Sequence, residues 1–490
     1  MSISDRGMRI QYLSDVCALT RILEQISGDD NAVKTSNILR FLAVLMLWCG
    51  SLASARDAGP ARFFNMQDIL DESTLNTRIA SDQVIPSRAR PGKSVRVIEL
   101  KFTSQNWHGM VWRHPARIYV PEGYQGGGNA GIIGTERWFF DNPKGARQTI
   151  PGTSLRTEEQ YAEATALDLG LPIMMFSNPA EDFMGMDESD LMGYSLRKVA
   201  ETGDLSWYGY TAITRAYLRA ITLMHSLPGV KAEHAVIMGC SKRGVAVGIA
   251  TGVGDDRVAG IMATCYYGGN NFYSLAKRFA EFGPNVRGPE QERAGPGFQP
   301  AETVLRGYNN PLGFDLMTHF DPYMWRDRIK AKFLVALGTN DQFYALGSSN
   351  SMLKEMSGDK AFLAVDNLPH SWVSQKHLAA WRMWLAHTFQ QRPLPRIEVK
   401  GAIDADHLSV LAKVETPTQL VGVRLFYAYN PIATDWRRAK WVSVPMTPGE
   451  GGYTAQLPRR AGQSLAYYVE VEDTGAGGAG YVSSLMESLN

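Results

Sequence analysis

The chain has 490 residues, of which 44% are hydrophobic and 20% charged, with a formal net charge of +1. That length exceeds one ordinary domain and predicts two, and the composition is that of a globular protein rather than a disordered or fibrous one. A charge so close to zero leaves no footprint for nucleic acid or an anionic surface, and without a glycine-rich phosphate loop no nucleotide cofactor is expected.

Residues 1–55 read as a leader. Phe41–Ala55 is apolar, follows Lys34 and Arg40, and closes on Ala53-Ser54-Ala55, the pattern of an h-region with an A-x-A cleavage site. The stretch is too short to cross a bilayer comfortably. A secretory signal is therefore expected, with no membrane span after its cleavage and a secreted or periplasmic location; the alternative is a buried helix. Of the four cysteines, Cys17 and Cys49 fall in this leader.

The following region, 56–391, predicts an α/β domain. Its opening, 56–95, reads as polar and irregular. Arg96–Trp107 and Met110–Val120 alternate apolar and polar residues around Trp107-His108-Gly109, as an antiparallel hairpin does. A buried strand is predicted near Ala130–Thr135, a helix over Thr157–Leu169 and a short strand over Leu171–Ser177. Trp207–Leu227 carries one apolar helical face. His234–Gly239 is the next strand, Lys242–Gly252 the next helix and Val258–Cys265 another strand. This alternation predicts a mainly parallel sheet covered on both faces. Tyr266–Lys330 interrupts it, rich in Gly, Asn, Pro and aromatics, and reads as a cap-like insertion (266–330) over the carboxyl edge of the sheet, where such sheets bind ligands. Strands resume at Lys332–Leu337 and Phe362–Val365, and a helix at Lys376–Phe389.

Arg392-Pro393-Leu394-Pro395 reads as a stiff linker. Beyond it, 396–490 holds about seven short alternating segments, which predict an all-β sandwich of immunoglobulin or fibronectin type.

The chemistry-bearing stretch is His234–Thr251. An apolar strand runs into Gly239-Cys240-Ser241-Lys242-Arg243-Gly244 and turns at once into a helix. Such a strand–turn–helix corner exposes its serine hydroxyl above the sheet edge and aims the next amide at a developing oxyanion. The second glycine stands one residue later than in G-x-S-x-G, and the bland alternative is a serine that merely caps the helix. A serine nucleophile needs a base and a group to orient it, arriving in chain order at the ends of later strands. Asp341 follows the strand ending at Gly338, and His370 follows the one ending at Val365. Ser241, Asp341 and His370 are therefore the candidate triad, with Asp366 as the rival acid. Lys242 and Arg243 are candidates for oxyanion or substrate binding, or else for ion pairs with nearby acids. Cys240 and Cys265 end neighbouring predicted strands; a disulfide and a pair of buried free thiols are both open. The histidines are scattered, with no H-x-x-x-H or C-x-x-C spacing, so no metal site is expected.

Several further residues carry a resemblance. These are Thr202-Gly203-Asp204 with Trp207, the S-K-R-G of the corner, Asp321-Pro322-Tyr323 with Arg326-Asp327-Arg328, and Thr339–Tyr344. Asn367–Ser371, Thr434-Asp435-Trp436-Arg437 and Trp441 complete the set. In these the chain resembles the PhoPQ-activated pathogenicity-related proteins, within the α/β-hydrolase superfamily, over roughly residues 95–480. It departs from the family's usual pattern at Cys240, where a small residue is common, and at Gln342, where an acidic one is. A secondary similarity is to glucuronoyl esterases, whose corner reads G-C-S-R-x-G. That likeness implies a cation at Lys242 assisting the oxyanion, although no cysteine stands beside His370 to match those enzymes' disulfide.

Together these readings predict an exported serine hydrolase with an acyl-enzyme mechanism, acting on a small-molecule or cell-surface ester. The alternatives are a peptidase, and a non-catalytic envelope protein that uses the hydrolase scaffold for binding.

Overall fold

The computed structural model describes residues 58–136, 149–180, 185–282, 308–430 and 435–489. Gly59–Asn490 forms one compact unit; the expected leader lies outside the described residues. Among the described residues, no helix is long and apolar enough to cross a membrane.

Nine strands form the main sheet, in the order β1-β2-β3-β5-β4-β6-β7-β8-β9. They are β1 (Arg78–Pro86), β2 (Ser94–Trp107), β3 (Met110–Pro121), β4 (Asn129–Thr135), β5 (Ile173–Ser177), β6 (His234–Cys240), β7 (Val258–Thr264), β8 (Lys332–Gly338) and β9 (Lys360–Val365). β1, β2 and β3 pair antiparallel, and so do β3 and β5. From β5 across to β9 every pairing is parallel. The β2–β3 hairpin turns on His108 and Gly109, both at positive φ (47° and 88°), as a two-residue hairpin turn matched to strand twist requires. The parallel strands are buried on both faces, which is why they read as unbroken apolar runs.

The helices are α1 (Met66–Leu70), α2 (Thr165–Leu169), α3 (Glu188–Thr202), α4 (Gly209–Ser226), α5 (Lys242–Ala250), α6 (Asn271–Phe282), α7 (Pro311–Phe320), α8 (Asn350–Glu355) and α9 (Gln375–Phe389). Ile213 and Tyr217 of α4 and Val247 of α5 pack on the sheet face that carries Ile132, Ile237 and Ile261. Trp381 and Trp384 of α9 fill the opposite face, against Val236, Met262 and Leu334. Alternate strand residues thus feed opposite cores.

One expectation is corrected. The stretch 56–95 is not irregular: it carries α1 and β1, and β1 adds an antiparallel edge that makes the sheet mixed. β1 is exposed along most of its length, so it lacks the apolar period that marks a strand in sequence. The polar segment before α4 holds the fifteen-residue α3, started by Asp187, whose carboxylate accepts from the Asp190 amide. Within the expected cap insertion the structure places α6 and α7, with 283–307 outside the described residues.

Beyond α9 the chain forms two antiparallel sheets. One is β10 (Arg396–Ile403), β11 (His407–Glu415), β15 (Gly452–Pro458) and β14 (Thr447–Gly449), in that order. The other is β13 (Val442–Pro445), β12 (Gln419–Asn430), β16 (Ser464–Gly475) and β17 (Gly478–Ser483), with β18 (Glu487–Leu489) also on β16. Leu408 and Val410 of one sheet share a core with Leu425 and Val469 of the other. These sheets belong to the same compact unit as the main sheet. Arg392, completely buried, binds Asp473 of β16 at 2.7 Å, and Lys376 of α9 binds Glu470 at 2.7 Å. The prolines around 393–395 therefore sit in a fixed joint rather than a free tether.

Candidate active site

β4 lies between β5 and β6, so the chain leaves its carboxyl end in opposite directions on the two sides. A crevice opens at such a switch point, and Ser241 stands there, directly after β6. Its backbone is at φ 58°, ψ −118°, a conformation that costs a non-glycine residue free energy and survives only where the surroundings impose it. The surroundings are tight. A Cβ on Gly239 would lie 2.5 Å from the Tyr217 hydroxyl and 2.6 Å from the Arg243 carbonyl, and one on Gly244 would lie 2.8 Å from the Thr264 carbonyl. Only glycine lets α5 approach β6 and β7 this closely. The Ser241 hydroxyl makes no capping bond to α5, so the bland capping role is not the one it plays. The free amides of the first turn of α5 supply partial positive charge beside it.

Asp341 and His370 leave β8 and β9, whose last residues Gly338 and Val365 pair in register. His370 Nδ1 and Asp341 Oδ2 are 2.7 Å apart. The Asp341 carboxylate also accepts from the amides of Phe343 and Tyr344, and Gln342 accepts from the His370 amide at 3.0 Å. Both chain neighbours of Ser241 influence the ring. A ring nitrogen of His370 lies within 4.8 Å of Cys240 Sγ, and Cys240 and Lys242 both act on its charge. Burial alone would lower the imidazole pKa, but the charge and hydrogen bond of Asp341, with Cys240, outweigh both burial and Lys242 and hold it above 6.5. With Nδ1–H directed at Asp341, Nε2 is left as the basic nitrogen.

The rival acid, Asp366, points elsewhere and pairs with Lys376 at 2.9 Å. Lys242 remains at the site, one-quarter exposed and 3.6 Å from Glu188. Of the two readings open for Arg243, oxyanion or substrate binding and ion pairing with nearby acids, the structure corrects the first and shows the second: the side chain turns inward. Its side chain is 3% exposed and binds Glu188 at 2.9 Å, Glu136 at 3.0 Å and the Asn178 carbonyl at 3.0 Å. Burial works against its charge, and the two carboxylates keep it protonated. It ties the start of α5 to the end of β4 and the start of α3. Asp204 and Asp321 serve as caps: Asp204 accepts from the Ser206 amide, and Asp321 accepts from the amides of Asn270, Asn271 and Tyr323.

Sequence reasoning missed the aromatic wall, where Phe343 and Tyr344 stand 4.6 and 5.9 Å from the His370 ring and Tyr267 packs edge-on to Tyr344. It also missed that Cys240, Cys265 and His370 converge, with ligand atoms mutually within 4.8 Å. The cysteines are free, buried and hydrogen-bonded with their sulfurs 2.7 Å apart.

Over residues 85–437 the chain matches the PhoPQ-activated pathogenicity-related protein family. Autocrine proliferation repressor protein A of Dictyostelium discoideum is 24% identical over 290 residues, covering 56% of this chain and 55% of that protein; the match spans about half that relative's length. Among solved structures, an acetyl xylan esterase from Paenibacillus sp. R4 is similar at 15% identity and TM-score 0.40, over 65% of this chain and 94% of that one. A glucuronoyl esterase from Solibacter usitatus is similar at 14% identity and TM-score 0.39, over 66% and 87%.

Proposed function

Since the chain belongs to the PhoPQ-activated pathogenicity-related protein family, we propose that it is a serine hydrolase working through Ser241, His370 and Asp341. The observation that carries this reading is a serine held at positive φ at the switch point, whose chain neighbour Cys240 has its sulfur within 4.8 Å of a ring nitrogen of a histidine already paired with a carboxylate. His370 Nε2 takes the Ser241 proton as Oγ attacks an acyl carbon. The oxyanion forms toward the Lys242 amide, and His370 returns the proton to the leaving group. Water then repeats the sequence on the acyl-enzyme. Asp341 keeps the ring in the required tautomer and balances the imidazolium. An ester is the favoured substrate class, because an alkoxide leaves far more readily than an amide anion, so ester cleavage depends less on proton delivery to the leaving atom.

Replacing Ser241 with Ala removes labelling by a fluorophosphonate probe under this reading; labelling that persists in the variant defeats it. A panel of acyl esters set against aminoacyl amides separates esterase from peptidase. The same proposal has the protein exported by way of Phe41–Ala55, which N-terminal sequencing of the mature protein from a periplasmic or culture fraction tests. The C-terminal sheets are read as a sandwich of immunoglobulin type, supported by their strand orders: first, second, sixth and fifth of these strands on one sheet, fourth, third, seventh and eighth on the other.

A further inference from the structure

The C-terminal sheets reach the site along Arg437–Trp441, a stretch that begins within the 3-10 turn at Trp436–Arg438. Asp435 fixes that turn by accepting from the Arg437 amide and guanidinium. Trp436 and Trp441 anchor it, at 3% and 2% exposure, in the core that the main sheet shares with Phe426 and Tyr468. From this anchored stretch, hydrogen bonds run to two asparagines. Asn340 Nδ2 donates to the carbonyls of Ala439 at 2.8 Å and Arg437 at 3.1 Å. Asn367 Nδ2 donates to the Trp441 carbonyl and its Oδ1 accepts from the Trp441 amide, both at 2.9 Å. Asn340 directly precedes Asp341, and Asn367 stands three residues before His370.

The two loops are also tied to each other. The Thr339 hydroxyl accepts from the Asn367 amide at 2.9 Å and donates to Asn340 Oδ1 at 2.8 Å, and the Asn340 amide donates to the Leu368 carbonyl. Asn367 sits at φ 53°, a left-handed conformation that asparagine tolerates better than most residues. Four hydrogen bonds thus converge from the C-terminal sheets on the two loops that deliver acid and base.

We propose that the stretch Arg437–Trp441 is a clamp that positions the Asp341–His370 pair, so that the C-terminal sheets are part of the hydrolytic unit rather than a separate binding module. Asn340 and Asn367 are its positioning residues. The proposal rests on the triad reading given above. A misplacement of about 1 Å between reacting groups costs on the order of 100-fold in rate, which is the scale of effect a lost clamp brings.

The test uses the full chain and the fluorophosphonate probe, measuring inactivation rate constant and probe affinity separately across pH. In Asn340→Ala combined with Asn367→Gly, the maximal inactivation rate falls about 10- to 100-fold with probe affinity unchanged. The pH midpoint moves down, because a loosened Asp341 no longer props up the imidazole. Asn367→Asp keeps the acceptor for the Trp441 amide and retains more of the rate than Asn367→Gly. Asn340→Ala alone serves if the double variant fails to fold. Unchanged rate and midpoint in folded variants, with only a lower melting temperature, overturn the clamp. A wild-type protein that is not labelled at Ser241 overturns the triad reading instead, so the two failures are distinguishable.

Discussion

Gly239 faces the carbonyl of Arg243 so closely that a methyl group on its α-carbon would come within 2.6 Å of it. The displaced second glycine has its own cause: a Cβ on Gly244 would lie 2.8 Å from the Thr264 carbonyl and 2.8 Å from Tyr266 Cβ. In G-x-S-x-G a glycine stands two residues after the serine; here that position is Arg243, whose backbone presses on Gly239 while its side chain leaves inward toward Glu136 and Glu188. The glycine one residue later, Gly244, meets the end of β7 instead.

The strained corner predicts a trade between stability and activity. Ser241→Gly, which relieves the positive φ, raises unfolding free energy by about 1 kcal/mol and abolishes probe labelling. Gly239→Ala destabilises by about 2–3 kcal/mol through overpacking. Denaturant midpoints at constant m-value check both.

The base must be neutral to accept the serine proton, so labelling and hydrolysis rise with pH through a midpoint above 6.5, in the direction of the His370 shift. Lys242→Met removes a charge that opposes protonation of His370, and it moves that midpoint to higher pH. Asp341→Asn lowers the rate by about 10³- to 10⁴-fold and moves it to lower pH. A pH series of second-order labelling constants decides all three.

Two adjacent cations are expected to behave oppositely. Arg243→Met strands two carboxylates against a buried site and destabilises by about 3–5 kcal/mol. Lys242→Met breaks only a partly exposed 3.6 Å pair and changes stability by less than about 1 kcal/mol. Thermal unfolding of the two variants side by side is the measurement.

Stability should also respond to pH at two buried groups of opposite sense. Burial pushes the Glu470 carboxyl up to about 7, against the pull of Lys376. Its contribution is full below its unfolded value of 4.5 and is lost as pH rises toward 7; Glu470→Gln flattens that slope. Burial lowers His114 to about 4 although its ring bonds the Ser177 carbonyl. Its contribution is full above 6.5 and lost as pH falls from 6.5 toward 4. Unfolding free energies from pH 4 to 8 in wild type and Glu470→Gln read the two slopes separately.

What the chain alone determined is local. The strand–corner–helix at Ser241, the apolar runs of the parallel strands and the order of serine, acid and base are written in neighbouring residues, because steric limits on a turn and burial on two faces act over a few positions. The tertiary structure decided whatever depends on a distant partner. Asp366 is four residues from His370 yet turns to Lys376, whereas Asp341, 29 residues away, reaches the ring. Arg243 is a cation beside the nucleophile in sequence and a buried tie in space. The exposed strand β1 left no apolar period. Asn340, Asn367 and Trp441 fall in segments that carry the family resemblance, but their pairing was not legible there, since a hydrogen bond between segments far apart in the chain constrains each residue only through where the fold happens to bring the other.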